Sequence, residues 1–155
     1  MTGLIRLVLM LTAITALGAC QSRRGNDPII SAVALNDTAK VTAYLAEGGN
    51  PQAKSKEGDP LLYIASGPRG GVAVARLLIE AGANIEGQSA DGRKILQNAA
   101  SWCDIEMVAL LVEAGANVNA AGADGTRPLD AVCKSPQDRR EKVIEMLLAA
   151  GGLRG

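Results

Sequence analysis

The sequence predicts an all-α fold, a solenoid of four helix-turn-helix repeats joined by β-turn or hairpin loops. Glycines recur at a regular spacing, because Gly49, Gly82 and Gly115 are each separated by 33 residues and Gly151 follows after 36. An apolar helical pattern precedes each of these glycines, and turn dipeptides stand between the units. A glycine directly after a helix can adopt the left-handed backbone conformation that ends it, so each marked glycine is predicted to close a unit.

Each unit contains two helical segments. In the second segment, apolar residues three and four positions apart share one helix face. They are Val74, Leu77 and Leu78, then Val108, Leu110, Leu111 and Val112, then Val143, Ile144, Leu147 and Leu148. The first segment is short and opens on a proline or its equivalent, which suits a first helical turn. These openings are Pro28, Pro60, Lys94 and Pro128, and the turn dipeptides are Glu57-Gly58, Asp91-Gly92 and Asp124-Gly125.

These motifs resemble the ankyrin repeat, which opens on D-G-x-T-P-L-H-x-A-A and closes on L-L-x-x-G-A-(D/N). The resemblance covers about Asn26–Leu153 and implies a repeat domain over residues 27–155. Its four repeats are expected at about residues 26–57, 58–90, 91–123 and 124–155. No unit keeps the Thr and His of the T-P-L-H motif. We therefore expect the hydrogen bonds that these two residues supply between units to be replaced or lost.

The composition argues against several classes of function. Histidine is absent, which removes the commonest general base and metal ligand. With the 16 basic residues reduced to 15 by loss of Arg6 in a leader, and 16 acidic residues, the mature net charge is about −1. Nucleic-acid binding would need a basic stripe. We expect no enzyme activity, no cofactor, no metal site and no nucleic-acid partner, and we expect a monomer.

The first residues have the zones of a secretory leader. Arg6 precedes an apolar run over Leu7–Leu17 that is short for a membrane span. The end of the leader, Leu17-Gly18-Ala19-Cys20, resembles the lipobox of bacterial lipoproteins. That resemblance implies a signal peptide over 1–19 and fatty acyl chains such as palmitate on Cys20, followed by a tether over 20–26. The alternative is an uncut N-terminal anchor.

The residue after Cys20 bears on location. Gln21 stands where an Asp commonly retains Gram-negative lipoproteins in the inner membrane. The resemblance therefore implies anchoring in the cell envelope, at the periplasmic face of the outer membrane. The stretch from Gln21 to Asp27 reaches roughly 20–25 Å when extended. A partner of the repeat domain is thus expected close to the membrane.

The ankyrin resemblance also indicates where a partner binds. In that family a concave surface is made of loop tips and the outward side of the first helices; the tips here are 52–57, 86–91 and 119–124. Tyr63 is the leading candidate because aromatic residues are enriched at interface centres. Trp102 is interpreted as either an exposed anchor or a lid over helix ends. Each candidate can instead be an ordinary surface residue. The candidates are Tyr63, Gln88, Asp91, Arg93, Asn98, Trp102, Asp124, Arg127 and Asp130.

Two cysteines remain besides Cys20. Cys103 stands at a turn position that the family usually gives to glycine, and Cys133 stands in a small-residue slot of the next unit. An oxidising location favours a disulfide between them, and the alternative is a buried free Cys133. A metal site is not expected from two cysteines without histidine.

Two functions follow from these resemblances. Small bacterial lipoproteins with ankyrin repeats occur as immunity proteins beside secreted antibacterial toxins, including phospholipases. The similar size, anchor and repeat type imply a protein-binding module that inhibits such a toxin by blocking it. The alternative is an envelope scaffold or stress-protection lipoprotein that binds a resident protein.

Overall fold

The computed structural model describes residues 27–69 and 71–155. The part of the chain that it describes contains seven α-helices and no strand, which confirms the predicted all-α fold. They are α1 (Pro28–Ala34), α2 (Thr38–Ala46), α3 (Leu61–Ala65), α4 (Val72–Glu80), α5 (Ile95–Ser101), α6 (Ile105–Glu113) and α7 (Gln137–Ala149). The predicted leader 1–19, the lipidated Cys20 and the tether 20–26 lie outside the described residues.

The helices pack in two layers. The first helices of successive units, α1, α3 and α5, contact one another in one layer. The second helices, α2, α4, α6 and α7, contact one another in the other. Each first helix also packs on the second helix of its own unit. None of the helices in the described ranges has the length and apolar character needed to cross a bilayer.

Aliphatic side chains fill the space between the layers. Small residues such as Ala65, Ala75 and Ala99 are fully buried, so neighbouring helices approach closely. The larger side chains that are fully buried are Leu61, Leu62, Leu78, Ile95, Met107, Leu111, Leu147, Val33, Val41, Val74, Val108 and Val143. The core therefore runs through all four units; among the described residues no aromatic side chain is fully buried, and Tyr44 and Tyr63 pack against the core.

Glycines end the second helices as predicted, with one correction of register. Gly82, Gly115 and Gly151 have φ angles of +89°, +91° and +87°. In the first unit the left-handed residue is Gly48, at φ +84°, and the prediction of Gly49 was wrong. Gly49 is needed for a different reason, because a Cβ there would lie 2.5 Å from the ring and the carbonyl oxygen of Tyr44.

The fourth unit lacks the first helix that the sequence predicted after Pro128, and this prediction was wrong. A single turn forms there, in which the Ala131 amide donates to the carbonyl oxygen of Arg127 at 3.1 Å. Pro136 then disfavours helical backbone at the preceding residue. The Cys133 amide donates instead to the carbonyl oxygen of Ala100 in the third unit, at 3.2 Å. The fourth unit is thus joined to its neighbour by irregular backbone.

A repeated hydrogen bond joins consecutive units, and we call it the inter-unit ladder. In each rung, a side-chain oxygen four residues after one unit-closing glycine accepts the backbone N–H of the residue two positions after the next unit-closing glycine. The rungs are Gln52 Oε1 with Asn84 at 3.0 Å, Glu86 Oε1 with Asn117 at 2.6 Å, and Asn119 Oδ1 with Leu153 at 2.7 Å. Gln52 and Asn119 also donate to the carbonyl oxygens of Gly82 and Gly151, at 2.7 and 2.9 Å. The ladder provides inter-unit hydrogen bonds in a chain that lacks the family's Thr and His.

A disulfide joins the third and fourth units. Cys103 and Cys133 are bonded, with their Cα atoms 5.6 Å apart and a sequence separation of 30 residues. Cys103 is buried and has a φ of +50°, which fits a turn position where the family usually has glycine. Cys133 is only partly buried. The disulfide holds the fourth unit where its missing helix would otherwise have packed.

Reduction of this disulfide should lower the free energy of unfolding by about 3–4 kcal/mol, because it frees a loop of roughly 30 residues in the unfolded chain. Urea unfolding with and without dithiothreitol measures the difference. The double variant Cys103→Ser/Cys133→Ser is the control and should be indifferent to the reductant. Equal midpoints for the oxidised and reduced protein would contradict the stabilising role.

Candidate protein-binding surface

The three loops between units have one conformation. In each, a backbone amide donates across the loop to the carbonyl four residues later. These pairs are Ser55 with Asp59 at 2.8 Å, Ser89 with Arg93 at 2.9 Å, and Gly122 with Thr126 at 2.9 Å. The predicted turn dipeptides are confirmed, because Gly58, Gly92 and Gly125 have positive φ angles. The loops therefore present equivalent positions along the stack.

Neighbouring loops are also hydrogen-bonded to each other. Asp59 Oδ1 accepts the backbone N–H of Ala90 at 2.9 Å. The carbonyl oxygen of Gly92 accepts the N–H of Ala123 at 3.0 Å. These bonds fix each loop relative to the next. The row of three loops is therefore ordered without a bound partner.

Tyr63 lies on α3 beside the second of these loops, which contains Ser89 and Asp91. Its side chain is half-buried, and this burial raises the pKa of its hydroxyl. The Ser89 hydroxyl and the Arg93 charge act in the opposite direction, and Asp91 is also near. We call Tyr63, Asp91 and Arg93 the Tyr63 surface; Ser89, which is 5% exposed, lies beneath it and donates to Asp91. This surface places a neutral aromatic ring among groups of both charges.

Each loop tip carries a carboxylate that is held ionised. The hydroxyl of Ser89 donates to Asp91 and lowers its pKa, and the positive charge of Arg93 lowers it further. The amide and hydroxyl of Thr126 donate to Asp124 at 2.9 and 2.8 Å and lower its pKa. In the first loop, the Ser55 hydroxyl lowers the pKa of Glu57 in the same way.

Asn98 is not a surface residue, and its assignment to the partner-binding set is corrected here. Its side chain is 5% exposed, and its Nδ2 donates to the Ser66 hydroxyl at 3.0 Å. Sequence spacing alone placed it on the outward side of α5. Its actual role is to link α5 to the end of α3.

Arg127 and Asp130 contact the last residues of the sequence. Arg127 Nη1 donates to the carbonyl oxygen of Arg154 at 3.0 Å. Asp130 Oδ2 accepts the backbone N–H of Gly155 at 2.9 Å. Both candidates therefore already have hydrogen-bond partners within the fourth unit, and no pattern in the sequence predicts these bonds.

Gln88 lies in a separate cleft between the first two loops. It is exposed and pairs through its backbone with Lys94. The cleft has a volume of about 320 Å³ and is lined by both polar and apolar groups, with Lys54, Pro60 and Glu86 among its lining residues. Gln88 thus lies close to the inter-unit ladder.

Trp102 is far from the Tyr63 surface along the helix. It caps the C-terminal end of α5, whereas the loop enters α5 at Lys94. Seven helical residues separate the two ends, which corresponds to about 10 Å. The structure therefore brings Tyr63, Asp91 and Arg93 together and leaves Trp102 apart, 52% exposed, at the opposite end of the helix.

The polar groups available here suit recognition. Among residues 27–69 and 71–155 no group of three or more His, Cys, Asp or Glu is arranged to hold a metal ion. Ser89, which is buried and supports the surface by donating to Asp91, is the residue that sequence reasoning missed. A signal was available, because Ser55 and Ser89 occupy the same position in successive loops.

Replacement of Ser89 by Ala should raise the pKa of Asp91 toward its ordinary value, because the main hydrogen-bond donor is lost. A carboxylate whose folded-state pKa lies below the unfolded value stabilises the fold above that unfolded value, and the contribution is lost as pH falls through the folded pKa. NMR titration of the carboxyl carbons measures the change. Asp124 is the internal control and should titrate unchanged, since Thr126 is its donor; an unaltered Asp91 would contradict the assignment.

Comparisons with known proteins agree with this geometry. A family model described as "Ankyrin repeats (3 copies)" matches residues 62–153, which is 92 of the 155 residues and more than half of the chain. No curated protein matches the chain. The ankyrin repeat is a protein-interaction fold. From the match, the two helix layers and the repeated loops, we conclude that the chain belongs to the ankyrin-repeat family.

Proposed function

We propose that this protein is a lipid-anchored module of the bacterial cell envelope that binds one protein partner through the Tyr63 surface. The observation that carries the proposal is the position of Tyr63, half-buried on α3 beside Ser89, Asp91 and Arg93 of the next loop. Tyrosine and arginine are the residue types that contribute most to protein interfaces. The family fold supports a protein as the partner.

The Tyr63 surface is suited to binding because its loops do not have to become ordered when a partner associates. The loops are fixed by their own backbone hydrogen bonds and by bonds to neighbouring loops. A surface that is already ordered loses less conformational entropy when a partner binds. The raised pKa keeps the Tyr63 hydroxyl protonated at neutral pH, whereas Asp91 stays ionised. Binding should therefore vary little with pH around neutrality.

The partner we propose is a secreted antibacterial toxin of the phospholipase type, which the protein inhibits by blocking. Two features support this role: the lipobox-like Leu17–Cys20 and the short tether before Asp27. A lipid on Cys20 would keep the repeats within a short reach of the membrane. We place this anchor at the periplasmic face of the outer membrane. An inhibitor held there would lie where a phospholipase must approach its lipid substrate.

The variant Tyr63→Ala/Arg93→Glu should bind the toxin about 30-fold or more weakly, since loss of a central interface residue costs about 2 kcal/mol or more. Binding is measured with the purified toxin. In growth competition against a strain that secretes it, cells with this variant should be killed as readily as cells that lack the protein. Tyr63→Phe keeps the ring and is the matched control, with protection expected.

A further variant distinguishes loss of membrane anchoring from loss of toxin binding. Cys20→Ser removes the proposed lipidation site, so this protein should bind the toxin normally, leave the membrane fraction and fail to protect. Full resistance of cells that lack the protein would contradict the immunity role. Recovery of a resident envelope protein as the only partner would favour the scaffold or stress-protection alternative. Unchanged toxin binding by Tyr63→Ala/Arg93→Glu would contradict the choice of surface.

A further inference from the structure

A second cleft lies at the opposite end of the first helices from the loop tips. Its volume is about 430 Å³. It is bounded by the turn after α3, the C-terminal end of α5 and the first turns of α4, α6 and α7, and we call it the Trp102 cleft. The residues that line it include Pro68, Val72, Trp102, Asp104, Glu106 and Arg139. Three units contribute to it, so it exists only in the assembled stack.

Trp102 is the chain's single tryptophan and is 52% exposed. Its backbone is held firmly, because its amide donates to the carbonyl oxygen of Ala99 and the next residue is the disulfide-bonded Cys103. The other large exposed apolar residues of the described chain, Leu35, Leu148 and Leu153, do not line this cleft. A half-exposed indole on a firmly held backbone is thus presented to solvent at the edge of this cleft.

The charges of the cleft are unbalanced. Asp104 and Glu106 contribute two carboxylates and Arg139 one guanidinium, which gives a net charge of −1. One oxygen of Asp104 caps α6 by accepting the Met107 N–H at 2.9 Å, and the other is not used in that cap. Glu106 is exposed and forms no salt bridge in the described part of the chain. One added positive charge would therefore bring the net charge of the cleft to zero.

We propose that the Trp102 cleft receives one arginine side chain from an exposed segment of a protein partner. The guanidinium would lie over the indole, where the ring quadrupole attracts a cation, and would pair with Glu106. The methylene stem would pack on Pro68 and Val72 while the charge stays at the rim. Arginine fits better than lysine because its planar group stacks on an aromatic face. Phosphate-bearing ligands are disfavoured by the two carboxylates.

The test uses a fluorescently labelled glycine peptide with one central arginine, and the same peptide with citrulline, lysine or glutamate in its place. Citrulline keeps the shape of arginine and removes its charge. Because Trp102 is the single tryptophan, its emission reports on this cleft alone. The arginine peptide should change that emission saturably, and the citrulline and glutamate peptides should bind at least about two- to fivefold more weakly.

Two variants locate the binding. Trp102→Ala and Glu106→Gln should each weaken the arginine peptide about two- to fivefold by label anisotropy. Glu113→Gln, at the other end of α6 and outside the cleft, is the matched control and should bind normally. Equal binding of citrulline and arginine, unchanged affinity in Trp102→Ala, or no saturable change up to millimolar peptide would overturn the proposal. The test needs no natural partner, so its failure is distinct from a failure at the Tyr63 surface.

Discussion

The stack depends on a hydrogen bond made between its units, in which a loop side-chain oxygen accepts a backbone N–H of the next unit. Gln52, Glu86 and Asn119 make this bond in succession. Units of a solenoid contact only their neighbours, so its geometry is set at each junction. Apolar packing between small side chains supplies attraction but little direction. The inter-unit ladder supplies the direction, and it therefore sets how the loops and both proposed binding surfaces are arranged.

The Tyr63 surface and the Trp102 cleft both depend on this alignment of successive units. Tyr63 belongs to the second unit, whereas Ser89, Asp91 and Arg93 belong to the loop of the third, so their proximity exists only across a junction. The Trp102 cleft likewise joins three units at the other end of the helices. In the fourth unit, where a first helix is missing, the Cys103–Cys133 disulfide and the backbone bond from Cys133 to Ala100 are added to the ladder rung between Asn119 and Leu153. The two surfaces lie at opposite ends of the first helices.

Local signals in the sequence predicted most of the fold, and long-range contacts account for what they missed. The turn dipeptides and the helix patterns act within a few residues, and the structure confirms them. Gly48 and Gly49 are adjacent and locally equivalent, so only the contact with Tyr44 distinguishes their roles. The absent helix after Pro128 and the burial of Asn98 both depend on contacts with a neighbouring unit. At the candidate site, Tyr63 was predicted as a surface aromatic, but the hydrogen bonds of Arg127 and Asp130 were not.

If the ladder holds successive units in register, its loss should be measurable most directly by amide hydrogen exchange at Asn117. Glu86→Ala removes the acceptor of that amide, whereas Glu86→Gln keeps an oxygen in the same place without the charge. We expect faster exchange at Asn117 in Glu86→Ala, together with a loss of about 0.5–1.5 kcal/mol in the free energy of unfolding, and near-normal exchange and stability in Glu86→Gln. Exchange and stability in Glu86→Ala equal to those of the unaltered protein would contradict this role of the ladder.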